Sequence, residues 1–346
     1  MPQTSRRAGI CAGANMGWQS VKVAVLDDWF DTLRHLSCFQ HLDGMAVDVF
    51  TDHVTDIDML AARLAPYEAI TLFRERTAIT ADLIAKLPHL KLISQRSVYP
   101  HIDIKACSEA GILVCSNMHG GTPSYAAAEH SWALIMAAMR DIPAQMTSLQ
   151  KGEWQIGIGK TLHGRTLGLY GYGRIAKQVA HYANAFGMHV IWWGSEQGRE
   201  RAAADGAVVA DSRQAFFATP DIISIHLRLN DVTRAVITAD DLALMRPDSL
   251  FVNTARAGLI APGALLAALD AGRPGKAAID VFDEEPINWF GDPLATHPHV
   301  VATPHIGFVT EDELNLQFDD VFAQVAAYAA GQPIHMINPE IFDQPR

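Results

Sequence analysis

The sequence is short of several things, and each shortage narrows what the chain can do. Charged side chains make up only 19% of the 346 residues while 49% are hydrophobic, a balance that excludes a disordered chain. Basic residues are in deficit: 27 Lys and Arg stand against 38 Asp and Glu, for a net charge of −11. Such a charge repels phosphate backbones and anionic headgroups, so neither nucleic acid nor a membrane surface is an expected partner. Long apolar runs are missing. Trp132 to Met139 is among the longest at eight residues, against the roughly 18 that a membrane helix requires. Cysteine is sparse: Cys11, Cys38, Cys107 and Cys115 are scattered, with no CxxC pair. That spacing leads us to expect no metal site and plain thiols of a cytoplasmic protein. Neither an internal repeat nor a low-complexity segment is found.

Residues 1–20 read as a disordered extension. Arg6-Arg7 ahead of Ala8 to Gly13 faintly resembles a twin-arginine signal, but the stretch is too weakly apolar and no A-x-A cleavage site follows. Met16 is a second start ahead of the first strand.

What is present is a rhythm. At roughly 150 residues per domain the length predicts two domains. Short apolar runs at Val21–Leu26, Val47–Phe50, Ala69–Phe73, Leu90–Ser94 and Ile112–Cys115 alternate with helix-like segments at Asp56–Leu64 and Ala81–Leu87. This is the signature of βαβ units around a parallel sheet. Breaker-rich Ser116 to Pro123 reads as a crossing between domains, with Thr122 or Ser124 as cap for a buried helix over Tyr125–Arg140. A second alternation follows. Strands are expected at Thr166–Tyr170, Met188–Trp193, Ile222–His226, Ser249–Asn253, Lys276–Val281 and Val300–Thr303. Helices are expected at Ile175–Phe186, Ala239–Met245, Pro262–Ala271 (with Pro262 in its opening turn) and Glu311–Ala330.

The sharpest local signal is Gly171-Tyr172-Gly173-Arg174-Ile175-Ala176, a G-x-G-x-x-A motif between an expected strand and an expected helix. Gly171 permits the tight turn, Gly173 lets backbone approach a pyrophosphate, and Ala176 keeps helix and strand close. The amides of Arg174 and Ile175 then point at phosphate from a helix start. A dinucleotide is the expected cofactor. An acid that holds the adenosine ribose belongs about 20 residues further on, at the end of the next strand. Gly194 occupies that place, followed by Ser195, with Arg199 and Arg201 nearby. Without the carboxylate a 2′-phosphate is no longer repelled, and Ser195 with an arginine could receive one. The alternative is that Glu196 substitutes and both arginines form a solvated helix face. The choice between NAD and NADP stays open, leaning to tolerance of NADP.

Three further motifs follow in order: Val252-Asn253-Thr254-Ala255-Arg256-Ala257-Gly258, then Ala278-Ile279-Asp280-Val281-Phe282-Asp283-Glu284-Glu285-Pro286, then Thr303-Pro304-His305-Ile306-Gly307. With the glycine motif, they resemble the D-isomer-specific 2-hydroxyacid dehydrogenase family, which includes phosphoglycerate, glyoxylate and hydroxypyruvate-type reductases. The resemblance runs from Val21 to about Pro339. It implies an α/β fold of two Rossmann-like doubly wound parallel-sheet domains. A flavodoxin-like substrate domain would cover 21–119 and 309–340, and a dinucleotide-binding domain 120–308, hinged over a cleft. It also implies a homodimer. Residue by residue, it implies Arg256 as the catalytic arginine, Glu285 as the supporting acid and His305 as the acid/base. Asp280 would bond the nicotinamide carboxamide, and the backbone at His226 and Ala255 would line the cofactor.

Elementary chemistry agrees. Hydride transfer at C2 of a hydroxy acid requires a matching proton transfer at the C2 oxygen, and imidazole titrates in the right range. A carboxylate on the far ring nitrogen fixes the tautomer, as Glu285 would for His305. A substrate carboxylate calls for the two-pronged guanidinium of Arg256.

In the family, a glycine-rich loop of the first domain offers amides to the substrate carboxylate. Here the stretch reads Ser94-Gln95-Arg96-Ser97-Val98-Tyr99-Pro100-His101, without glycine; the amides of Ser97 and Val98 are the candidates. Arg96 and Tyr99 either face the pocket, favouring a larger or doubly charged acid, or pack structurally. Trp289 and Phe290 either reach the cleft or cover the sheet edge. Two rivals remain. A formate dehydrogenase resembles the family but carries glutamine where Glu285 stands. A nucleotide-sensing co-repressor shares the fold and the catalytic trio, but no peptide-docking insert is seen here.

Overall fold

A computed structural model describes residues 21–118, 124–287 and 291–342. The extension, Cys11, the crossing segment 119–123 and the pair Trp289-Phe290 lie outside the described residues. The chain divides into two compact units, Met1–Thr122 with Leu314–Arg346, and Pro123–Glu313.

In the first unit, strands β1 (Lys22–Val25), β2 (Ala46–Val49), β3 (Ala69–Thr71), β4 (Leu92–Arg96) and β5 (Leu113–Asn117) pair in parallel in the order β2-β1-β3-β4-β5. This is the flavodoxin-like order. Helices α1 (Ile57–Leu64), α2 (Ala81–Ile84) and α3 (Ile104–Glu109) start at side-chain caps from Asp56, Thr80 and Asp103. Ala24, Ile70, Ile93 and Val114 of the sheet pack with Leu60, Leu64, Leu83 and Cys107 of these helices. Burial pushes the Cys38 thiol up to about 11 and those of Cys107 and Cys115 up to about 12, so all three remain protonated.

The second unit opens with α4 (Ala126–Met139) and α5 (Ile142–Gln150). No side chain caps α4; its N-cap is Tyr125, and the Ser124 carbonyl instead accepts from the Arg174 guanidinium at 3.4 Å. The sheet holds β6 (Thr166–Tyr170), β7 (His189–Trp193), β8 (Ile222–Ile225), β9 (Leu250–Asn253), β10 (Lys276–Ile279) and β11 (Val300–Ala302). Their order is β11-β10-β9-β8-β6-β7, all parallel. A one-residue parallel bridge, Trp192 to Val209, adds a further rung beyond β7. With that rung counted, the order is the one of the dinucleotide-binding fold, and its reversal point falls between β6 and β8.

Intervening helices are α6 (Arg174–Ala185), α7 (Glu196–Ala204), α8 (Arg213–Ala218), α9 (Ala239–Leu244) and α10 (Ala264–Asp270). Pro262 precedes the N-cap of α10 and is not in its first turn, because Gly263 at φ 72° makes the entry. Alternate strand residues feed opposite cores. Leu167, Leu169, Val252 and Ala278 pack with α4 and α6, whereas Tyr170, Ile223, Phe251 and Ile279 pack with α8 to α10. Burial on both faces explains why the inner strands β6, β8, β9 and β10 read as nearly unbroken apolar runs.

The last helix, α11 (Glu311–Ala329), belongs to the first unit from Leu314 onward. Phe318 and Phe322 place their rings 5.0 Å from Phe73 and 5.6 Å from Phe39. The following tail adds an antiparallel edge to β5, with Ser116 N donating to His335 O and Ile337 N to Val114 O.

Candidate active site

Every functional motif read from the sequence of the second unit leaves the carboxyl end of a strand. Along the sheet order, the loops after β11, β10, β9, β8, β6 and β7 carry His305, Asp280 with Glu285, Arg256, His226, Gly171 and Gly194. Adjacent strands lie about 4.8 Å apart, so the row divides into a chemistry half (β9 to β11) and a dinucleotide half (β6 to β8). Ligands of open parallel sheets gather at this edge.

The dinucleotide half fits its expected ligand. Gly171 sits at φ 113°, and a Cβ there would lie 2.4 Å from the His226 carbonyl oxygen, so only glycine is accommodated. At Gly173 a Cβ would meet nothing within 4 Å, leaving an open cradle beside the start of α6. Gly173 is the N-cap of α6 and supplies no side-chain cap, whereas Ser195, Ser212 and Thr238 cap α7, α8 and α9. The first turn of α6, which holds the amides of Arg174 and Ile175, therefore starts without a side-chain cap. Ala176 is fully buried between helix and sheet.

Beyond β7, a Cβ on Gly194 would have no neighbour nearer than 3.7 Å. Ser195 Oγ accepts from the Gly198 amide at 3.2 Å. The two arginines differ. Arg199 donates to the Gly194 carbonyl at 2.8 Å and lies 4.3 Å over the Trp193 ring, whereas Arg201 is exposed and bonds back to Gln197 O on its own helix. Arg199 is therefore held at the turn, and Arg201 belongs to the solvated face. The His226 amide donates to Tyr170 O, its ring bonds Ser224 Oγ at 2.9 Å, and burial pushes the imidazole down to about 4.

In the chemistry half, His305 Nδ1 lies 2.5 Å from Glu285 Oε2, and Glu285 Oε1 accepts from the Phe282 amide at 2.9 Å. Both side chains are partly exposed, 27% for His305 and 31% for Glu285, so solutes can reach the pair. His305 holds φ 53°, an unusual conformation for a non-glycine residue and one that clusters at functional positions. The Phe308 ring meets the imidazole edge-on at 5.6 Å. Arg256 follows β9 in a loop built by Asn253, whose amide group donates to Arg256 O at 2.9 Å and accepts from Ala255 N at 3.0 Å. The Ala255 amide is thus engaged internally, and its carbonyl accepts from the Arg256 guanidinium at 2.7 Å.

Asp280 is fully buried and surrounded by donors. Oδ1 accepts from Thr303 Oγ1 at 2.6 Å and Ile306 N at 2.9 Å, and Oδ2 from Gly307 N at 2.8 Å. Burial alone would raise its carboxyl; the bonds from His130, Thr303 and Ile306 outweigh that and hold it below the ordinary carboxylate range. Asn253 and Thr303 stand inside the motifs quoted above but received no role there, and His130 escaped the sequence reading altogether, since it carries no local signal.

In the first unit, Ser97 stands at φ 78°, so the loop keeps a glycine-type backbone although glycine is absent. Its amide donates to Asn117 O at 3.1 Å, and its carbonyl accepts from Gln95 and Ser116. Val98 is partly exposed in the same loop. Arg96 pairs with Asp320 at 2.8 Å, and Tyr99 packs against the core, so both take the structural alternative. Among the described residues no cluster of three or more His, Cys, Asp or Glu could hold a metal ion, and no helix is long and apolar enough to cross a membrane.

Comparison with known proteins agrees with this geometry. Residues 132–307 match the family model for the D-isomer specific 2-hydroxyacid dehydrogenase, NAD binding domain. The chain is 35% identical over 283 residues to the glyoxylate reductase of Aeropyrum pernix, covering 78% of this chain and 82% of that protein. It is 34% identical over 299 residues to the D-3-phosphoglycerate dehydrogenase of Methanocaldococcus jannaschii, covering 84% of this chain but only 54% of that one. The chain thus spans about half the length of the phosphoglycerate dehydrogenase it matches. The crystal structure of a phosphoglycerate oxidoreductase from Vibrio cholerae superposes with a TM-score of 0.86 at 43% identity, covering 90% of this chain and 99% of that one. The chain belongs to the D-isomer-specific 2-hydroxyacid dehydrogenase family.

Proposed function

We propose that the protein is an oxidoreductase that moves a hydride between NAD(P)H and C2 of a D-2-hydroxy acid or its 2-oxo counterpart. The observation that carries this reading is the 2.5 Å His305–Glu285 pair on loops neighbouring the one that bears Arg256. A bound nicotinamide dinucleotide would supply or accept the hydride. The chain's own residues do the rest. Gly171, Gly173 and the amides of Arg174 and Ile175 receive the pyrophosphate. Arg256 holds the substrate carboxylate and so fixes which face of C2 is presented. With Nδ1 engaged by Glu285, Nε2 of His305 is the nitrogen that delivers a proton to the C2 oxygen, or removes it in the reverse direction. Glu285 fixes the orientation of the ring and the tautomer of its neutral form. Of the two candidate amides in the first unit, that of Ser97 is engaged by Asn117 O, which leaves that of Val98.

Relatives named glyoxylate reductase and D-3-phosphoglycerate dehydrogenase support a small 2-hydroxy acid as substrate. The absence of a carboxylate at Gly194, with Ser195 and a tethered Arg199 beside it, supports tolerance of the NADP 2′-phosphate. A homodimer is supported by Ile142, Met146 and Leu149, which form an exposed apolar stripe on α5 continued by exposed Trp154 and Ile158. The decisive assay is oxidation of NADH and NADPH with a panel of 2-oxo acids, for the parent and His305→Asn. Turnover that falls by 100-fold or more in the variant is expected. Tight dinucleotide binding with no turnover on any acid would instead support a nucleotide sensor.

A further inference from the structure

Two adjacent residues of α4, His130 and Ser131, touch separate loops of the chemistry half. His130 Nε2 lies 3.0 Å from Thr303 Oγ1 and 3.2 Å from Asp280 Oδ1, with 16% of its side chain exposed. The Thr303 hydroxyl donates to Asp280, so its lone pair is free to accept the His130 N–H. Asp280 in turn takes the amides of Ile306 and Gly307, the two residues that follow His305. A Cβ on Gly307 would lie 2.9 Å from Asp280 Oδ2 and 3.5 Å from His130 Cδ2, so the turn is packed directly against this cluster. One residue along the helix, fully buried Ser131 Oγ donates to Ala127 O at 2.7 Å and meets Thr254 Oγ1 at 2.6 Å. Its only proton is spent on Ala127, so the Thr254 hydroxyl is the donor. Thr254 lies two positions before Arg256.

We propose that His130 and Ser131 are paired positioning residues, tying the His305 turn and the Arg256 loop to one rigid helix so that proton donor and carboxylate clamp keep a fixed separation. The inference rests on the roles assigned to His305 and Arg256 above. Asp280 is on this account the bolt of the His305 turn, whatever it also offers a cofactor. A turn held at φ 53° against its preference needs such over-determination. The two ties act on different kinetic parameters. Loosening the His305 turn misplaces the proton and lowers kcat. Loosening the Arg256 loop weakens capture of the acid and raises its KM.

The test uses the full-length chain with NAD(P)H and the best 2-oxo acid from the panel. His130→Leu is expected to lower kcat 10- to 100-fold with dinucleotide KM within twofold of the parent, and His130→Gln, which keeps an N–H donor at a similar reach, to recover most of the loss. Thr303→Val removes the linking hydroxyl at constant shape and is expected to reproduce the kcat defect, which decides the matter if His130→Leu does not fold. Ser131→Ala and Thr254→Val are expected to raise the KM of the oxo acid at least fivefold with kcat less affected. Parental kcat in folded His130→Leu, or in Thr303→Val when the former does not fold, overturns the proposal. So does a His130→Gln variant as slow as His130→Leu. His305→Asn is run alongside: if it turns over like the parent, the assigned chemistry fails, whereas its inactivity beside a parental His130→Leu defeats only the positioning role.

Discussion

His305 and Glu285, 20 residues apart in sequence, bring Nδ1 and Oε2 to 2.5 Å across the loops that leave β10 and β11. The contact exists because these strands are neighbours in register, with Ala278 opposite Val301, and because the Phe282 amide holds the other carboxylate oxygen. Glu285→Gln keeps the shape, but an amide can either accept from or donate to the ring nitrogen, so it no longer fixes which nitrogen carries the proton. We expect kcat to fall at least tenfold, with KM for the dinucleotide unchanged, by steady-state kinetics.

Gly194 offers a clean substitution. A Cβ there has ordinary van der Waals room, so Gly194→Asp introduces the missing carboxylate without strain. It should repel a 2′-phosphate and bond a ribose instead. The ratio of kcat/KM for NADH over NADPH should rise by at least tenfold, about 1.4 kcal/mol. An unchanged ratio would refute the placement of this residue beside the ribose.

The two glycines of the phosphate loop should fail in different ways. Gly171→Ala forces Cβ against the His226 carbonyl at a positive φ, so loss of thermal stability is expected. Gly173 has extended backbone and open space, so Gly173→Ala should leave the melting temperature within about 2 °C. Its dinucleotide Kd should rise, since the methyl group occupies the cradle. Calorimetry and cofactor titration separate the two outcomes.

His226 makes the fold sensitive to acid. Its imidazole sits at about 4 in the folded chain against about 6.5 unfolded, so between those values only the unfolded state binds the proton. Stability is therefore unaffected above about pH 6.5 and falls as the pH drops toward 4. From pH 6.5 to 5 the loss is about 2 kcal/mol, and His226→Gln should remove it while keeping a polar partner for Ser224. Urea unfolding at the two pH values measures the difference directly.

Ser97 carries a side chain where the backbone prefers none. Ser97→Gly should relieve the left-handed strain and stabilise the chain by about 1 kcal/mol, while β-branched Ser97→Val should destabilise it. Thermal unfolding of the two variants gives opposite signs.

These particulars also show what a linear reading can reach. The strands and the glycine motif were legible, because buried parallel strands are apolar on both faces and the turn needs glycine at Gly171. Helices α3, α5 and α8 were not anticipated, and α7 entered only as the solvated face carrying Arg199 and Arg201. In α7, Gly198 interrupts a run of polar residues and only Ala202 joins the core, so no apolar period marks it. In α5 the apolar residues Ile142, Met146 and Leu149 recur at helical spacing, yet in the described structure that stripe is exposed and not packed. The catalytic candidates were legible as motifs, but their supports were not. His130 meets Thr303 across 173 residues, and no spacing in the sequence encodes such an encounter.

The row of strand ends has a consequence for how such a protein can change. Each recognising group hangs from its own strand and leaves the hydrophobic layers beneath untouched, so neighbouring specificities are separable by single replacements. On the function proposed above, a lineage could trade one coenzyme for another at Gly194 while the His305–Glu285 pair, on loops four or more strands away in the same sheet, continues to work. The sheet acts as a rack, and what is hung on one peg need not disturb the next.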